Sequence, residues 1–600
     1  MDGIDLELPG ARVIFTLREL SATHASLTFD WENSAAFEEA LRVTKATPGR
    51  TWKPGLKHWA IPIDHANGLA TKLAALGDVL IEPVLNARLK RMRAAADKVA
   101  DLAFLLDLPD WERPPGIVTP DIRGYQKVAE RMLNTIEGGS LLGDPVGTGK
   151  TLDAILTHQA GGHIVGPNSI LWVVPSGLRL NIRSQYKIHF GLDDAQVDEL
   201  VTVIEGSDKK RRALWELPTP IKVVGYELYL RHDWGKPWVP RDWVKVFADE
   251  FTKGKNSQSQ THKRLQAIRT EVGLTGMTAT PLEMHLEDVY NLVGGILRPG
   301  LLGNFTAFRD KFLQTDRWGH VVGTNWQTLP EFNEIIAPYI VRRRKEVLMP
   351  QLPEKVPVMV DVELSPQERR WYNMMCDDFF LWLATTGSDS KDDPLVQTLR
   401  LRQFLNSPNI VHDKYPVEGS KMDALFELLE PHDSDSVMMF SQWTSTAERI
   451  YEALAARTRH EVVYLHGGTP VKRRQEISDR VNAGEQIWVV ASDAMAYGFD
   501  FYGASALVHY DCLWNPAKMI EQREGRLHRG GQSRRPVVYT MNVLDTFEQV
   551  VYHVMKGREA LGDAVQDGTE TALFRRWSRK DWKAAMQGEI PIVGEDDSDH

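Results

Sequence analysis

The stretch Leu141-Leu142-Gly143-Asp144-Pro145-Val146-Gly147-Thr148-Gly149-Lys150-Thr151 decides the fold of this 600-residue chain. A short apolar run enters a glycine-rich loop that ends in Lys-Thr, the order of a strand, a phosphate-binding loop and a helix. In such a loop, backbone N–H groups point at the β-phosphate, the lysine bridges the β- and γ-phosphates, and the threonine ligates magnesium. We therefore predict that residues 144–151 bind ATP, with Lys150 catalytic and Thr151 a Mg²⁺ ligand. The alternative interpretation is a glycine-rich turn without a ligand.

Outward from the loop, short apolar runs rich in β-branched residues alternate with longer helical patterns. Apolar runs without period-two alternation are typical of parallel strands buried on both faces, and their alternation with helices indicates α/β architecture. One series lies at residues 169–175, 221–227, 243–250 and 272–278, and a second lies at 437–442, 461–466, 487–493, 506–511 and 536–544. Helical, charged sequence separates the series between about residues 300 and 430, so we expect two α/β domains with a helical connector.

Composition limits the functional classes. With 42% hydrophobic and 25% charged residues, the chain has ordinary globular composition, and no window reaches the ~20 apolar residues of a membrane-spanning helix. The N-terminus lacks a secretory signal pattern, and two cysteines, Cys376 and Cys512, suggest neither a disulfide framework nor a zinc site. We expect a cytoplasmic protein. Because the net charge is −10, a nucleic-acid site must be a local basic cleft.

Two carboxylates follow the apolar run Val246-Phe247-Ala248. At the carboxyl end of a buried strand, about a hundred residues after the loop, Asp249 and Glu250 are expected in the crevice where α/β sheets bind ligands. Asp249 would hold Mg²⁺, and Glu250 would orient and deprotonate the attacking water. An Asp-Glu pair is otherwise an ordinary solvated turn.

A second charged motif, Gln522-Arg523-Glu524-Gly525-Arg526-Leu527-His528-Arg529-Gly530-Gly531-Gln532, lies far downstream. Arg526 and Arg529 are expected one helical turn apart, where their guanidiniums can match developing phosphoryl charge. Gln522 is a further candidate catalytic residue. The alternative is one basic helix face formed by Arg523, Arg526 and Arg529. A motor needs one half that binds ATP and another that senses its γ-phosphate, and the chain carries candidates for both.

In its motifs and their order, the chain resembles superfamily two helicases, specifically the Swi/Snf-type double-stranded DNA translocases, over about residues 120–560. Arg123-Gly124-Tyr125-Gln126 is similar to the Q element, Met277-Thr278-Ala279-Thr280-Pro281 to the coupling motif, and Trp514-Asn515-Pro516 to a motif of the second lobe. The Trp-Asn-Pro and the terminal Arg-Gly-Gly-Gln are the features most specific to this family. Phe251-Thr252 replaces the usual Ala-His, which leaves coupling efficiency open, whereas the set for hydrolysis is complete.

The resemblance implies an α/β fold of two RecA-like parallel-sheet lobes with a helical connector and a small N-terminal α+β domain. The expected boundaries are 1–85 for the accessory domain, 90–345 for lobe 1, 346–430 for the connector, 431–562 for lobe 2 and 563–600 for a tail with an acidic disordered end. It also implies that Arg123 and Gln126 contact the adenine side of ATP, together with Gly498 and Asp500 from the second lobe.

Duplex DNA is the partner that the resemblance implies, held largely along the phosphates of one strand. The implied contacts are Ser176, Arg179, Asn181 and Tyr226 from the first lobe, and Gln442, His466, Ser492 and Trp514 from the second. Such groups position a duplex without reading its sequence, so we expect little base specificity and strong salt dependence.

The N-terminal stretch Arg50-Thr51-Trp52-Lys53-Pro54, followed by Lys57-His58-Trp59, resembles the HARP module of annealing helicases. If the resemblance extends to function, the basic residues contact phosphate and an aromatic ring stacks on unpaired bases of branched DNA. The alternative is that both tryptophans pack a small core. Residues 342–345 form a basic cluster in the connector, for which a solvated face is the default interpretation. The family resemblance implies instead a place near the brace of the second lobe, with contacts to groups of the ATP site or to DNA.

Three functions follow. The first is an ATP-dependent duplex DNA translocase that remodels DNA or protein–DNA structures. The second is a strand-separating or fork-annealing helicase, or an RNA-stimulated ATPase. The third, from a different class, is an ATP-gated nucleic-acid clamp without productive turnover.

Overall fold

A computed structural model describes residues 13–21, 23–30, 34–279, 286–315, 321–386, 394–411, 415, 418–493, 499–514, 518–562 and 579–589. The chain forms two compact units. The first contains Met1–Asp144 and Gly149–Arg343, and the second contains Pro145–Thr148 and Arg344–His600. Cys376 and Cys512 are both buried and free. Within the described ranges, no helix combines the length and apolar character needed to cross a bilayer.

The strands are β1 Val13–Glu19, β2 His24–Asp30, β3 Thr51–Lys53, β4 His58–Pro62, β5 Gly77–Ile81, β6 Ser140–Leu142, β7 Ile170–Val174, β8 Val201–Val203, β9 Ile221–Gly225, β10 Asp242–Ala248, β11 Arg269–Met277, β12 Leu313–Thr315, β13 Val321–Thr324, β14 Ile340–Val341, β15 Val356–Val362, β16 Val437–Ser441, β17 Glu461–Leu465, β18 Ile487–Ser492, β19 Ala506–His509 and β20 Val537–Val543.

The α-helices are α1 Ser34–Ala46, α2 Ile63–Leu73, α3 Pro83–Leu102, α4 Gly124–Thr135, α5 Lys150–Ala160, α6 Arg179–Phe190, α7 Asp194–Leu200, α8 Asp208–Glu216, α9 Gln260–Gln266, α10 Leu286–Val289, α11 Phe305–Phe312, α12 Leu329–Ile336, α13 Lys345–Leu348, α14 Pro366–Thr386, α15 Pro394–Asn406, α16 Ser420–Leu429, α17 Thr444–Arg457, α18 Val471–Asn482, α19 Gly525–Leu527, α20 Phe547–Gly562 and α21 Arg579–Met586.

The main sheet of the first unit is parallel, with strand order β14-β6-β11-β10-β7-β9-β8. Every residue of β7 and β9 is buried, as their mainly apolar sequences predict, and the one charged residue among them, Lys222, bonds to the Leu217 carbonyl over 2.6 Å. The phosphate loop leaves the carboxyl end of β6, and Asp249 follows the carboxyl end of β10, with β11 between these two strands. Both features therefore lie at the edge of the sheet where parallel α/β folds bind ligands.

A smaller sheet of order β3-β4-β2-β1-β5 forms the N-terminal part of the same unit. Its core includes Phe15, Leu17 and Leu27, each with no exposed surface. A buried ion pair joins Asp64 of α2 to Arg298, and their side chains are 4% and 6% exposed. The hydroxyl of Tyr339 also donates to Asp64, over 3.1 Å. The N-terminal sheet is thus fixed to the main sheet's helices, because a buried charge that loses its partner is costly.

The second unit contains a parallel sheet of order β15-β20-β19-β16-β18-β17. The fold class is confirmed: two parallel-sheet lobes, helices between them in sequence, and a small N-terminal α+β region. One expected detail is corrected, because residues 356–362, assigned to the helical connector, form the edge strand β15. Its side chains alternate between more and less exposed positions, the pattern of a strand covered on one face. The tail helix α21 buries Trp582, whose ring stacks on Phe547 at 6.2 Å.

Candidate nucleotide and nucleic-acid sites

The phosphate loop has the backbone that its sequence predicts. Gly147 and Gly149 have φ angles of +85° and +92°, which residues with a Cβ rarely adopt. Gly149 caps α5, whose first residue is Lys150, so the first turn of the helix and the positive end of its dipole lie at the loop. Lys150 Nζ donates to the Asp144 carbonyl over 2.7 Å. This arrangement can bind an anionic phosphate with little rearrangement beyond the lysine side chain.

Asp249 and Glu250 follow β10 in a strained turn. Glu250 has φ 49° and ψ 51°, a left-handed conformation that costs roughly 1 kcal/mol or more in a non-glycine residue and is concentrated at functional sites. Its N–H donates to Asp249 Oδ1 over 3.0 Å. The buried hydroxyl of Tyr226 donates to the Asp249 carbonyl over 2.8 Å. These bonds fix the backbone of the turn and the direction of the Asp249 carboxylate at the carboxyl edge of the sheet.

Magnesium prefers hard oxygen ligands and usually takes most of them from phosphate and water. The Thr151 hydroxyl and the Asp249 carboxylate fit such a site as its two protein ligands. Among the residues that the structure describes, no cluster of three or more His, Cys, Asp or Glu side chains could hold a metal without that help.

The Q element lies against the phosphate loop. Gln126 is 4% exposed, and its Oε1 accepts from the Arg123 N–H over 3.1 Å, which caps α4. A Cβ added to Gly149 would lie 2.6 Å from Gln126 Nε2. Arg123 Nη1 donates to the Tyr125 hydroxyl over 2.9 Å. The Gln126 amide therefore braces the end of the loop, and its contact with adenine stays a prediction.

Sequence reasoning missed buried Asp153, and it treated Arg343 only as a member of the basic cluster at residues 342–345. Asp153 lies on α5 with no exposed surface; burial raises its pKa well above the usual range, and the charge of Asp144 raises it further. Arg343 and Lys150 oppose that shift. Arg343 itself pairs with Asp144. The signals were an acid one turn after Lys150 in an apolar helix, and an arginine just after the strand Ile340–Val341.

In the second unit, Arg526 and Arg529 converge on one carboxylate. Arg529 pairs with Asp500, and Arg526 Nη1 lies 3.7 Å from Asp500 Oδ1. Arg526 Nε also donates to the Gln522 carbonyl over 3.2 Å. The expectation that one helical turn separates the arginines is wrong, because α19 ends at Leu527. Their side chains nevertheless meet, since the chain bends back toward Asp500.

Arg523 has a different environment from its two neighbours in sequence. It has no exposed surface, and it donates to Asp493 Oδ1 over 2.7 Å and to Asp511 Oδ1 over 3.1 Å. The three arginines therefore do not form one solvated basic face, which was the alternative interpretation of this motif. Gly498, Asn515, Pro516, Thr280 and Pro281 lie outside the described residues.

The DNA contacts expected from the first lobe have mixed surroundings. Arg179 donates to the carbonyls of Ser176 over 3.0 Å and Ile204 over 2.8 Å, so its guanidinium also holds the backbone. Asn181 is exposed, whereas Tyr226 is 5% exposed and its hydroxyl is engaged with Asp249. Their function toward DNA stays a prediction.

In the second lobe, Gln442 and Ser492 end adjacent strands, because β16 pairs with β18 at Ser441 and Ser492. Gln442 Nε2 and Ser492 Oγ are buried and have no hydrogen-bond partner within the described part of the chain. Such groups are costly unless a ligand or water satisfies them. These two polar groups are therefore suited to receive a ligand at this edge.

His466 and Trp514 complete the expected set. His466 Nδ1 accepts from the Gly468 N–H over 3.2 Å, and its ring stacks on Tyr464 at 5.0 Å. Trp514 is 7% exposed and lies between Phe547, at 5.8 Å, and the guanidinium of Arg402, at 5.6 Å. The Trp514 ring is part of the lobe core, so stacking on a base is not open to it in this arrangement.

Comparison with protein-family models gives two matches. Residues 121–410 match the SNF2-related domain, and residues 420–531 match the helicase conserved C-terminal domain, together about two thirds of the chain. Similar curated proteins include the human DNA repair and recombination protein RAD54-like, 24% identical over 72% of this chain and 63% of that protein. The Drosophila pseudoobscura pseudoobscura protein of the same name is 22% identical, over 79% and 67%.

A Mycoplasma genitalium protein, the uncharacterized ATP-dependent helicase MG018, is 26% identical over 74% of this chain and 42% of its own length. The chain thus spans about two thirds of the RAD54-like proteins and under half of this helicase. Among solved structures, the Sulfolobus solfataricus SWI2/SNF2 ATPase core in complex with dsDNA is 22% identical, with a TM-score of 0.37 over 82% of this chain and 100% of that chain.

Proposed function

Because the chain belongs to the Swi/Snf-type family of superfamily two helicases and is a nucleic-acid-dependent ATPase, we propose that it translocates along double-stranded DNA. The movement would remodel DNA or protein–DNA structures. The observation that carries the proposal is the shared edge of the first parallel sheet, where the Lys150 loop follows β6 and the strained Asp249-Glu250 turn follows β10. In this proposal residues 90–345 and 431–562 are the motor lobes, 346–430 the connector and 1–85 an accessory domain.

Each residue of the site has a role that its surroundings support. Lys150 binds the β- and γ-phosphates, and Glu250, held in its left-handed turn, orients the attacking water and takes its proton. Arg526 and Arg529 stabilise the charge that develops on the transferred phosphoryl group. Thr151 and Asp249 hold Mg²⁺, which neutralises phosphate charge when bound.

DNA contacts of the proposed motor are mainly to phosphates. Of the expected residues, Ser176 and Asn181 on the first lobe are exposed. On the second lobe, Gln442 Nε2 and Ser492 Oγ have no hydrogen-bond partner among the described residues. Hydroxyls and amides of this kind carry no sequence information, so binding depends on salt more than on base sequence. A nucleic-acid patch fits within the acidic chain because such contacts are local.

Steady-state ATP hydrolysis tests the proposal. Duplex DNA should stimulate turnover more than single strands or RNA do, and Lys150→Ala should lower the stimulated rate by about 10²-fold or more. Turnover that survives in Lys150→Ala would show that the site is elsewhere. Greater stimulation by single strands or by RNA would favour the strand-separating helicase or the RNA-stimulated ATPase. Nucleic-acid binding that needs ATP but gives no turnover would indicate the clamp.

A fork-annealing activity is the second candidate, and one observation favours it. Trp52 is 44% exposed on the edge strand β3, its ring lies tilted against Trp59 with the centroids 5.3 Å apart, and Lys53 is exposed beside it. An exposed aromatic ring next to basic side chains can stack on an unpaired base. Preferential stimulation by forked DNA is the outcome that distinguishes this activity from simple duplex translocation.

A further inference from the structure

One arginine of the basic run at residues 342–345 is directed into the first unit. Arg343 is buried, whereas Arg342 and Arg344 on either side are exposed. The Arg343 N–H donates to Asp144 Oδ1 over 2.9 Å, Nε lies 3.3 Å from the same oxygen, and Nη2 pairs with Asp144 Oδ2. Arg343 Nη1 donates to the Tyr125 carbonyl over 2.6 Å. One guanidinium therefore joins three segments of the chain.

Strand pairing explains why these segments meet. β14 is parallel to β6, with Val341 opposite Leu142, so Arg343 and Asp144 each lie two residues beyond a paired position. Asp144 opens the phosphate loop, and Tyr125 precedes Gln126 in α4. We call the ion pair between Asp144 and Arg343 the Asp144–Arg343 latch. It fixes the start of the loop and the Q element to the edge strand of the sheet.

A second buried acid makes the charge of Arg343 important. Asp153 lies one turn after Lys150 on α5, and the charge of Asp144 disfavours its ionisation. Two acids and two cations, Arg343 and Lys150, thus lie together under the loop. Lys150 Nζ is already bonded to the Asp144 backbone at 2.7 Å. Without Arg343, Lys150 would be the remaining cation near the buried Asp144 carboxylate. That carboxylate and the phosphates of ATP would then compete for the Lys150 ammonium group.

We propose that Arg343 is a positioning residue of the ATP site. By neutralising Asp144 it leaves Lys150 available to the β- and γ-phosphates, and by bonding Tyr125 it holds the Q element beside the loop. Arg343 touches no substrate in this role. The inference rests on the proposed function in that it takes residues 144–151 as the ATP-binding loop.

Nucleotide affinity measured with a fluorescent ATP analogue tests the latch, because it needs no turnover. Arg343→Gln should weaken binding by about tenfold or more, since a charge-assisted contact is lost and Lys150 is drawn to Asp144. Arg342→Gln, at the exposed neighbour, is the matched control.

The double variant Asp144→Asn with Arg343→Gln separates positioning from general damage to the fold. It removes both charges of the latch and should bind the analogue more tightly than Arg343→Gln alone. If Arg343→Gln does not fold, the double variant should fold and bind the analogue, although more weakly than wild type because the bond to the Tyr125 carbonyl is still lost. Wild-type affinity in Arg343→Gln, or no gain in the double variant, overturns the inference. Absence of DNA-stimulated ATP turnover in the wild type would instead contradict the proposed motor function. It would not affect this comparison of nucleotide affinities.

Discussion

The two units hold the charges of their sites in opposite ways. Around the phosphate loop of the first unit the charges are buried and matched, with Arg343 6% and Asp144 0% exposed. In the second unit, Arg526 and Arg529 share one carboxylate, that of Asp500, which is 36% exposed. Buried pairs separate only at a large desolvation cost, whereas half-exposed pairs exchange partners readily. The first unit therefore has a fixed site, and the second carries cationic groups that can transfer to a ligand.

Within the second unit, the same motif contains both kinds of arginine. Arg523 is fully buried between Asp493 and Asp511, and its pairing ties the end of β18 to the end of β19. Arg526 and Arg529 carry two positive charges for one partially exposed acid. Two guanidiniums at one partly exposed carboxylate form a cationic cluster, which suits an anionic substrate.

The largest expected effect comes from substituting one arginine of each kind. Arg529→Ala should lower DNA-stimulated ATP turnover by about 10³-fold and leave stability nearly unchanged, because its pair with Asp500 is partly solvated. Arg523→Ala should instead destabilise the second unit by about 3 kcal/mol or more, since it leaves buried Asp511 without its partner. Steady-state kinetics and denaturant unfolding of both variants measure the difference. Equal stability losses in the two variants would erase the distinction between structural and catalytic arginines.

Much of the fold was predictable because its signals are local. Strands β7, β9 and β10 are continuous apolar runs buried on both faces, and each was expected within two residues of its observed ends. β15 was missed because it alternates at a sheet edge, inside a region whose other elements are helices. Edge strands carry half the apolar signal of central ones, so a helical neighbourhood outweighs them.

The candidate site likewise contains residues that local motifs predict and contacts that depend on residues far apart in the sequence. The loop at residues 144–151 and the pair Asp249-Glu250 were found because each is a short motif with its own chemistry. The Arg343 contact was not, because Asp144 lies 199 residues away and only the pairing of β14 with β6 brings the two together. Burial of the Trp514 ring was missed for a similar reason, since Arg402 and Phe547 come from distant helices.

The response to acid provides a second comparison between the two units. His158 in the first unit is fully buried, burial lowers its pKa to about 3, and its Nε2 lies 2.7 Å from the Tyr186 hydroxyl. His509 in the second unit also has a lowered pKa from burial, but a hydrogen bond to Glu524 opposes the shift. Burial therefore opposes protonation of His158 in acid, whereas at His509 the contact with Glu524 offsets part of that cost.

The direction in which stability changes with pH follows from the pKa of His158 in the folded protein, which lies below the unfolded value of about 6.5. Its contribution to stability is complete above about pH 6.5 and is lost as the pH falls toward about 3, by about 1.4 kcal/mol per pH unit for this group. Hydrogen exchange of peptides from α5 and β19, followed between about pH 7 and pH 5, should show earlier loss of protection in α5. His158→Gln should flatten that pH dependence, and an unchanged slope would assign the acid response to other groups.

The smallest expected effect concerns the accessory domain, which the buried Asp64–Arg298 pair fixes to the first unit. Deletion of residues 1–85 would leave Arg298 unpaired, so point variants on the exposed edge are a cleaner test. Trp52→Ala should weaken binding to forked DNA by about fivefold, the lower end of the range for one stacked base, and leave duplex-stimulated ATP turnover unchanged. The matched control is Leu80→Ala on β5, the opposite edge of the same sheet, where the side chain is 57% exposed. Binding curves of both variants with forked and with duplex DNA measure whether Trp52 contributes specifically to fork binding. An equal loss for both DNA forms would make Trp52 a general contact, and no loss would reduce the two tryptophans to surface packing.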